Sequence, residues 1–298
     1  MSGITIFTAT YNRAYSLPLL YKSLLEQENK LFEWILIDDG STDETSTLIE
    51  TWIKTTTAFP IRAFYLQHGG KQRAINFAVQ KALFPFFFIV DSDDLLTPDA
   101  ITKALTWCGG IADTPFLAGV SGVKGAINGG YRSAPPKIDG DYVDLSNLER
   151  KSYNLDGDMA EIYKTEILKL YPFPVWPGET FTPESVVWDK IAIDGYQLRW
   201  YRDIIYLCDY LDDGLTKGGY RLYLDNLMGC AMAQNMKAQT SSFFLHKISS
   251  VIEMDIACCL KKEYGFLSTS WSPLLSYCLL PFAWLKAQHR KRRLSLHI

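Results

Sequence analysis

The chain has 298 residues, 48% of them apolar and 14% aromatic, enough for one large α/β core or two modest domains and too much for a disordered segment. A formal net charge of -3 and an isoelectric point near 5.9 exclude a global basic field of the kind that attracts nucleic acid. The six cysteines form no CxxC pair and no regular framework, so free thiols in a reducing compartment are expected.

In chain order, Met1-Ser2-Gly3 runs straight into a strand-like Ile4–Phe7 without the segments of a secretory signal, which gives a cytoplasmic protein as the expectation. Further strands are predicted at Trp34–Ile37, Ile61–Leu66 and Phe86–Val90. Between them, Leu17, Leu20, Leu24 and Leu25 behind Pro18, the stretch Thr42–Lys54, and Gln72–Leu83 with Ala74, Ile75, Ala78, Val79 and Ala82 have helical spacing. Alternation of this kind predicts βαβ units and a mostly parallel sheet flanked by helices. Ser41-Thr42-Asp43-Glu44 reads as a capping box, and Thr97-Pro98-Asp99 starts a further helix. From Gly109 the chain turns to glycine-rich short runs, and beyond Asp213-Gly214 to helical ones, Tyr220–Gln239 and Ser241–Tyr264.

Ligands of open parallel sheets bind at the carboxyl ends of the strands. Asp38-Asp39 ends the second strand and Asp91-Ser92-Asp93-Asp94 the fourth, so two acidic clusters are expected to face one crevice. Clustered carboxylates repel unless a cation neutralises them, and an oxygen-rich, histidine-free set favours Mg²⁺ or Mn²⁺.

Thr8-Ala9-Thr10-Tyr11-Asn12-Arg13, Ile37-Asp38-Asp39-Gly40-Ser41-Thr42-Asp43 and Asp91-Ser92-Asp93-Asp94, in that order, resemble the motifs of family 2 glycosyltransferases with the GT-A fold, a Rossmann-like α/β architecture. The resemblance implies that Asp39 accepts a hydrogen bond from a pyrimidine base, with Thr8, Tyr11 and Arg13 shaping the nucleoside pocket. It implies that Asp91 and Ser92 contact the nucleotide and that Asp93 binds a divalent metal on the diphosphate; Asp91 and Asp94 stand open as its partner. His68-Gly69-Gly70-Lys71-Gln72-Arg73 resembles the family's glycine-lysine segment, with Lys71 near the nucleotide and His68 set aside as a surface-loop residue; it is no Walker loop.

Displacement at an anomeric carbon needs a base on the acceptor's side. Pro177–Trp188 resembles the family's region around that base, with Glu184 the better match and Glu179 its rival. Gly157–Glu166 and Tyr210–Thr216 resemble segments of bacterial polysaccharide-type members. The expected division is a GT-A domain over 1–216, with a nucleotide half 1–98 and an acceptor half 99–216, followed by a helical region 217–298. The expected partners are a nucleoside-diphosphate sugar, UDP favoured, and a glycan or lipid-linked saccharide acceptor. The apolar stretch Trp271–Leu285, too short to span a bilayer, precedes Lys286, Arg290, Lys291, Arg292 and Arg293; a peripheral membrane contact and a packed helix with a basic tail both fit it. A nucleotidyltransferase and an inactive sugar-nucleotide-binding module are the alternatives, though Thr8–Arg13 lacks the glycines of a phosphate loop.

Overall fold

Apolar runs in the first ninety residues become parallel strands: β1 (Ile4–Thr10), β2 (Phe32–Asp38), β3 (Ile61–Tyr65) and β4 (Phe86–Ile89), side by side in the order β3-β2-β1-β4. The near-complete burial of β1 and β2 is what continuous apolar runs produce when helices cover both faces. Those helices are α1 (Leu17–Leu25), α2 (Thr45–Thr55) and α3 (Lys71–Lys81). Leu17, Leu20 and Leu24 of α1 are buried as their spacing requires, whereas Leu25 turns out to solvent.

The computed structural model describes residues 3–132, 134–209 and 219–295, with side chains as far as 292. Tyr210–Thr216, one of the segments of family resemblance, lies outside them. The chain forms two compact units, Met1–Pro172 with Asp194–Asp212 and Phe173–Ile193 with Asp213–Ile298.

In the first unit the sheet continues through β5 (Leu95–Leu96), β6 (Leu117–Gly125), β7 (Tyr142–Leu145), β8 (Ala160–Lys164) and β9 (Gln197–Leu207), with α4 (Ala100–Gly109) and α5 (Thr165–Leu170) between them. Strand β8 enters antiparallel beside β4, β6 pairs β8 antiparallel and β9 parallel, and β5 and β7 pair β9 antiparallel. Parallel pairing thus dominates the first half of the sheet, and the glycine-rich region after 109 contributes β6, a nine-residue buried strand. Its glycines permit close approach: a Cβ on Gly119 would lie 2.2 Å from the Ile162 carbonyl oxygen.

The capping box does not form. Helix α2 begins at Thr45, Glu44 precedes it without a side-chain cap, and the Ser41 hydroxyl instead accepts the Asn12 N–H at 2.9 Å. Asp43 serves this turn, accepting the Thr45 N–H at 3.0 Å.

The second unit is helical: α6 (Ser185–Ile193), α7 (Gly219–Asp225), α8 (Leu227–Thr240), α9 (Phe244–Lys261) and α10 (Pro273–Ser295). The pattern read as one helix from Tyr220 breaks at Asn226, whose side-chain oxygen accepts the Thr180 and Phe181 N–H groups, both at 2.8 Å. All six cysteines are free thiols. Among the described residues no helix is long and apolar enough to cross a membrane.

Asp255 of α9 is fully buried, and no hydrogen bond of ordinary geometry reaches either of its carboxylate oxygens. Burial pushes its pKa up to about 7, the Ser276 hydroxyl offsetting only part. An unfolded aspartate titrates near pH ~4, so between these values the folded chain holds a proton that the unfolded chain has released. This group's contribution to stability is therefore greatest below about pH 4, falls as pH rises to about 7, and is constant above. Asp255→Asn should raise the unfolding midpoint at pH 8 and flatten that slope, as read by thermal denaturation across pH; a lowered midpoint at pH 8 would show that the ionised carboxylate is needed.

Candidate active site

The carboxyl ends of β3, β2, β1 and β4 lie along one rim of the sheet, and each continues into a segment singled out in the sequence: 66–71, Asp39, 11–13 and 91–94. The loops after β1 and β2 are joined side chain to backbone. Besides the Asn12–Ser41 bond, Thr42 N–H donates to Asn12 Oδ1 at 2.7 Å, Arg13 N–H to Thr45 Oγ1 at 3.0 Å and Ala14 N–H to Asp43 Oδ2 at 3.1 Å. Asn12 sits in the left-handed region, φ 52°, which a short amide side chain tolerates when it bonds locally.

Asp38 and Asp39 serve different ends. Asp38 is buried and accepts the Ser41 N–H at 2.8 Å and the Ser46 hydroxyl, so it belongs to the turn. Asp39 points along the rim to the loop after β3, where its two oxygens accept the Gly69 and Gly70 N–H groups at 2.9 and 2.8 Å and His68 Nδ1 lies 2.9 Å away. Gly70, at φ 92°, makes this double contact possible and leads directly into α3. The His68 ring stacks on Tyr11, centroids 4.2 Å apart, and Tyr11 is 43% exposed, so the pair forms an open aromatic surface beside Asp39.

Thr8 lies elsewhere. It is fully buried inside β1 and its hydroxyl accepts the Trp34 indole N–H at 3.0 Å, so its side chain is engaged in the core. Arg13 Nη1 bonds the Tyr15 hydroxyl at 2.8 Å, and its charge also acts on Asp93.

At the end of β4, Asp91 meets Lys71 Nζ at 2.5 Å and Lys124 Nζ at 3.9 Å. Burial alone would raise the Asp91 carboxyl, but the two ammonium groups hold it below its ordinary value. Asp93 is raised, by burial first and then by the charge of Asp91, with Arg13 and Lys71 opposing. Asp94 is pushed up to about 7 by burial and Asp91, against Lys124 and the Tyr206 hydroxyl, which donates to it at 2.7 Å. Tyr206 also accepts the Asp91 N–H at 2.9 Å, and Lys124 Nζ lies 4.2 Å from its ring centroid. Ser92 is buried in the same turn.

Among the described residues no three carboxylate, histidine or cysteine groups converge as a closed metal cage. The motif still fits a shared ion. Mg²⁺-type sites take one or two carboxylates and complete their shell with phosphate oxygens and water, and the upward shifts of Asp93 and Asp94 mark a place where positive charge is in deficit.

The sequence reading missed Lys124 and Tyr206 and set His68 aside. The one trace of the first is a lone charged residue in the strand Leu117–Gly125; Tyr206, one of two tyrosines in a strand with four polar or charged residues, leaves none.

In the second unit, Glu184 is half-buried just before α6, its carbonyl accepting the Val187 and Trp188 N–H groups at 2.9 and 3.1 Å. Glu179 is buried and committed: its carboxylate accepts the Met228 and Gly229 N–H groups at 3.0 Å and pairs with Lys261 Nζ at 3.3 Å, anchoring the start of α8.

Residues 5–114 match the family model described as glycosyl transferase family 2. An uncharacterized glycosyltransferase of Rickettsia conorii is 35% identical over 98 residues, 33% of this chain and 16% of that protein. The poly-beta-1,6-N-acetyl-D-glucosamine synthase of Staphylococcus aureus is 24% identical over 209 residues, 67% of this chain and 48% of the synthase. The chain thus spans less than half the length of these curated relatives. Among solved structures, residues 1–349 of S. aureus TarS in complex with UDP-GlcNAc superpose with a TM-score of 0.64 at 14% identity, over 98% of this chain and 92% of that one. At that identity the likeness shows the shared GT-A fold.

Proposed function

With residues 5–114 a glycosyl transferase family 2 segment, we propose that the chain moves a sugar, with inversion, from a nucleoside-diphosphate sugar to a hydroxyl of a glycan or lipid-linked saccharide in bacterial surface-polysaccharide synthesis. One observation carries this reading: Asp39 and the 91–94 turn stand at the carboxyl ends of the two parallel strands that flank β1, with Lys71 against Asp91. UDP is the favoured nucleotide, since the TarS relative was solved with UDP-GlcNAc and an imide N–H needs an acceptor such as Asp39.

In this reading the base stacks beside Tyr11 and His68, and Asp39 exchanges part of its hold on the loop after β3 for the base edge. Arg13 and Lys71 flank the phosphates, and Asp91 and Ser92 orient the ribose and sugar. Asp93, with Asp91 or Asp94, holds the Mn²⁺ or Mg²⁺. A cation there neutralises charge on the departing nucleoside diphosphate. Glu184 takes the proton of the attacking hydroxyl; the commitment of Glu179 to the Met228 and Gly229 N–H groups and to Lys261 supports Glu184 over it for that task.

A thermal-shift screen of UDP-, GDP-, TDP- and CMP-sugars, with and without Mn²⁺, tests the donor half, since a ligand of the folded state raises its midpoint. A Mn²⁺-dependent rise with one UDP-sugar is expected, and silence with every nucleotide sugar would refute the proposal. Glu184→Gln tests the acceptor half. Removal of a general base costs typically 10²–10⁴-fold in turnover, so the variant should lose about that much, together with the rising limb of its pH profile, at an unchanged unfolding midpoint. Full activity would remove Glu184 from the chemistry.

A further inference from the structure

Helix α10 packs through small residues and the half-buried Leu275, Leu279 and Leu280, and turns a second set of large side chains outward. Ser276, Ala283 and Ala287 are buried, and the two alanines sit in one cluster with Ile256 and Cys259 of α9. Leu274, Tyr277, Phe282, Trp284 and Leu285 are exposed, Leu274 by 77% and Leu285 by 62%. A helix that merely closes a core carries charged and polar groups on its outer face, where α10 adds a second set of large apolar side chains.

Its charge is equally one-sided. Over Pro273–Ser295 the sequence carries Lys286, Arg290, Lys291, Arg292 and Arg293, and no aspartate or glutamate. Arg290 is used internally, bound to both oxygens of Glu253 at 2.8 and 2.9 Å, which ties α10 to α9. Lys286, His289 and Arg292 are exposed. Lys286 Nζ lies 4.8 Å from the Phe282 ring centroid, and Trp284, Leu285, Gln288, His289 and Arg292 line a shallow depression of about 280 Å³. The aromatic and basic groups are interleaved at contact distance. A similar juxtaposition begins α9, where Lys247 Nζ lies 4.4 Å from the ring centroid of Trp271, just before α10.

We propose that the outward face of α10 seats the helical unit on an anionic phospholipid bilayer, lying in the plane of the interface. Leucine and aromatic side chains would enter the boundary between headgroups and acyl chains while Lys286, His289 and Arg292 meet lipid phosphates, the pairing that holds interfacial helices. A second copy is the poorer occupant, because a two-fold contact on this face would set one basic cluster against its equal. The proposal rests on the second unit alone, so its failure leaves the transfer reading intact.

Flotation of the full chain with vesicles tests it. Vesicles of equal parts phosphatidylcholine and phosphatidylglycerol should carry the protein, and vesicles of phosphatidylcholine alone should not. The double variant Lys286→Glu with Arg292→Glu should weaken binding by about tenfold or more, as should Leu285→Glu, all with unchanged circular dichroism. Leu83→Glu, at a 69% exposed leucine of the first unit, should bind like the parent. No binding, equal binding to both vesicles, or inert charge reversals would overturn the proposal. So would a concentration-dependent dimer abolished by Leu285→Glu, which would make the face a contact between copies.

Discussion

Asp93→Asn should lower sugar transfer by about 10³-fold or more while raising the thermal midpoint of the first unit. The two effects share one cause. Burial and the neighbouring charge of Asp91 hold the Asp93 carboxyl above its ordinary value, so in the free protein this group is repelled more than Arg13 and Lys71 relieve. Neutralising it removes that repulsion. In the proposed reading the same substitution would remove the carboxylate that would hold the cation, and several kcal/mol of charge stabilisation, roughly 4 for a 10³-fold loss, would depend on such an ion. Nucleoside-diphosphate release from the donor measures the first effect and calorimetry the second. Retained turnover would take Asp93 out of the reaction, and a lowered midpoint would make its carboxylate a structural group.

Glu179→Ala should cost about 3 kcal/mol of stability in the helical unit, lowering its midpoint by roughly 10 °C. The substitution strands the buried N–H groups of Met228 and Gly229 and leaves Lys261 without its partner. Buried donors left unsatisfied cost about 1–3 kcal/mol. Glu184→Gln, five positions on, should leave that midpoint unchanged. The pair thus separates the two glutamates by different instruments, since one acts on unfolding and the other on turnover. If Glu179→Ala melted like the parent, the α8 start would have another anchor.

What was legible in the sequence was local. Strand-like runs gave β1, β2 and β4, the last two with their acidic ends, because a strand buried in the sheet leaves a local signature and the motif follows within two residues. What was not legible is carried by distant pairings. Tyr206 reaches the Asp91 N–H across 115 positions, through a strand that joins the sheet by way of β6. The anchoring role of Glu179 depends on α8, which supplies its amide donors 49 positions later. The capping box failed through competition: Ser41 has one hydroxyl, and Asn12 of the preceding loop engages it. Thr8 matched a pocket motif by position, yet the Trp34 indole on the neighbouring strand claims its oxygen.

The stitching between the loops after β1 and β2 has a thermodynamic consequence. Hydrogen bonds of Asn12, Arg13 and Ala14, three of them made by Asn12, hold residues 12–14 against residues 41–45. Ordering a loop on binding subtracts its conformational entropy from the affinity, and these segments surrender that entropy when the chain folds. If the rim holds a nucleoside as proposed, Ser41 and Asp43 would govern how tightly without contacting it: loosening either would return disorder to the free protein, and every ligand of the rim would have to quench it again.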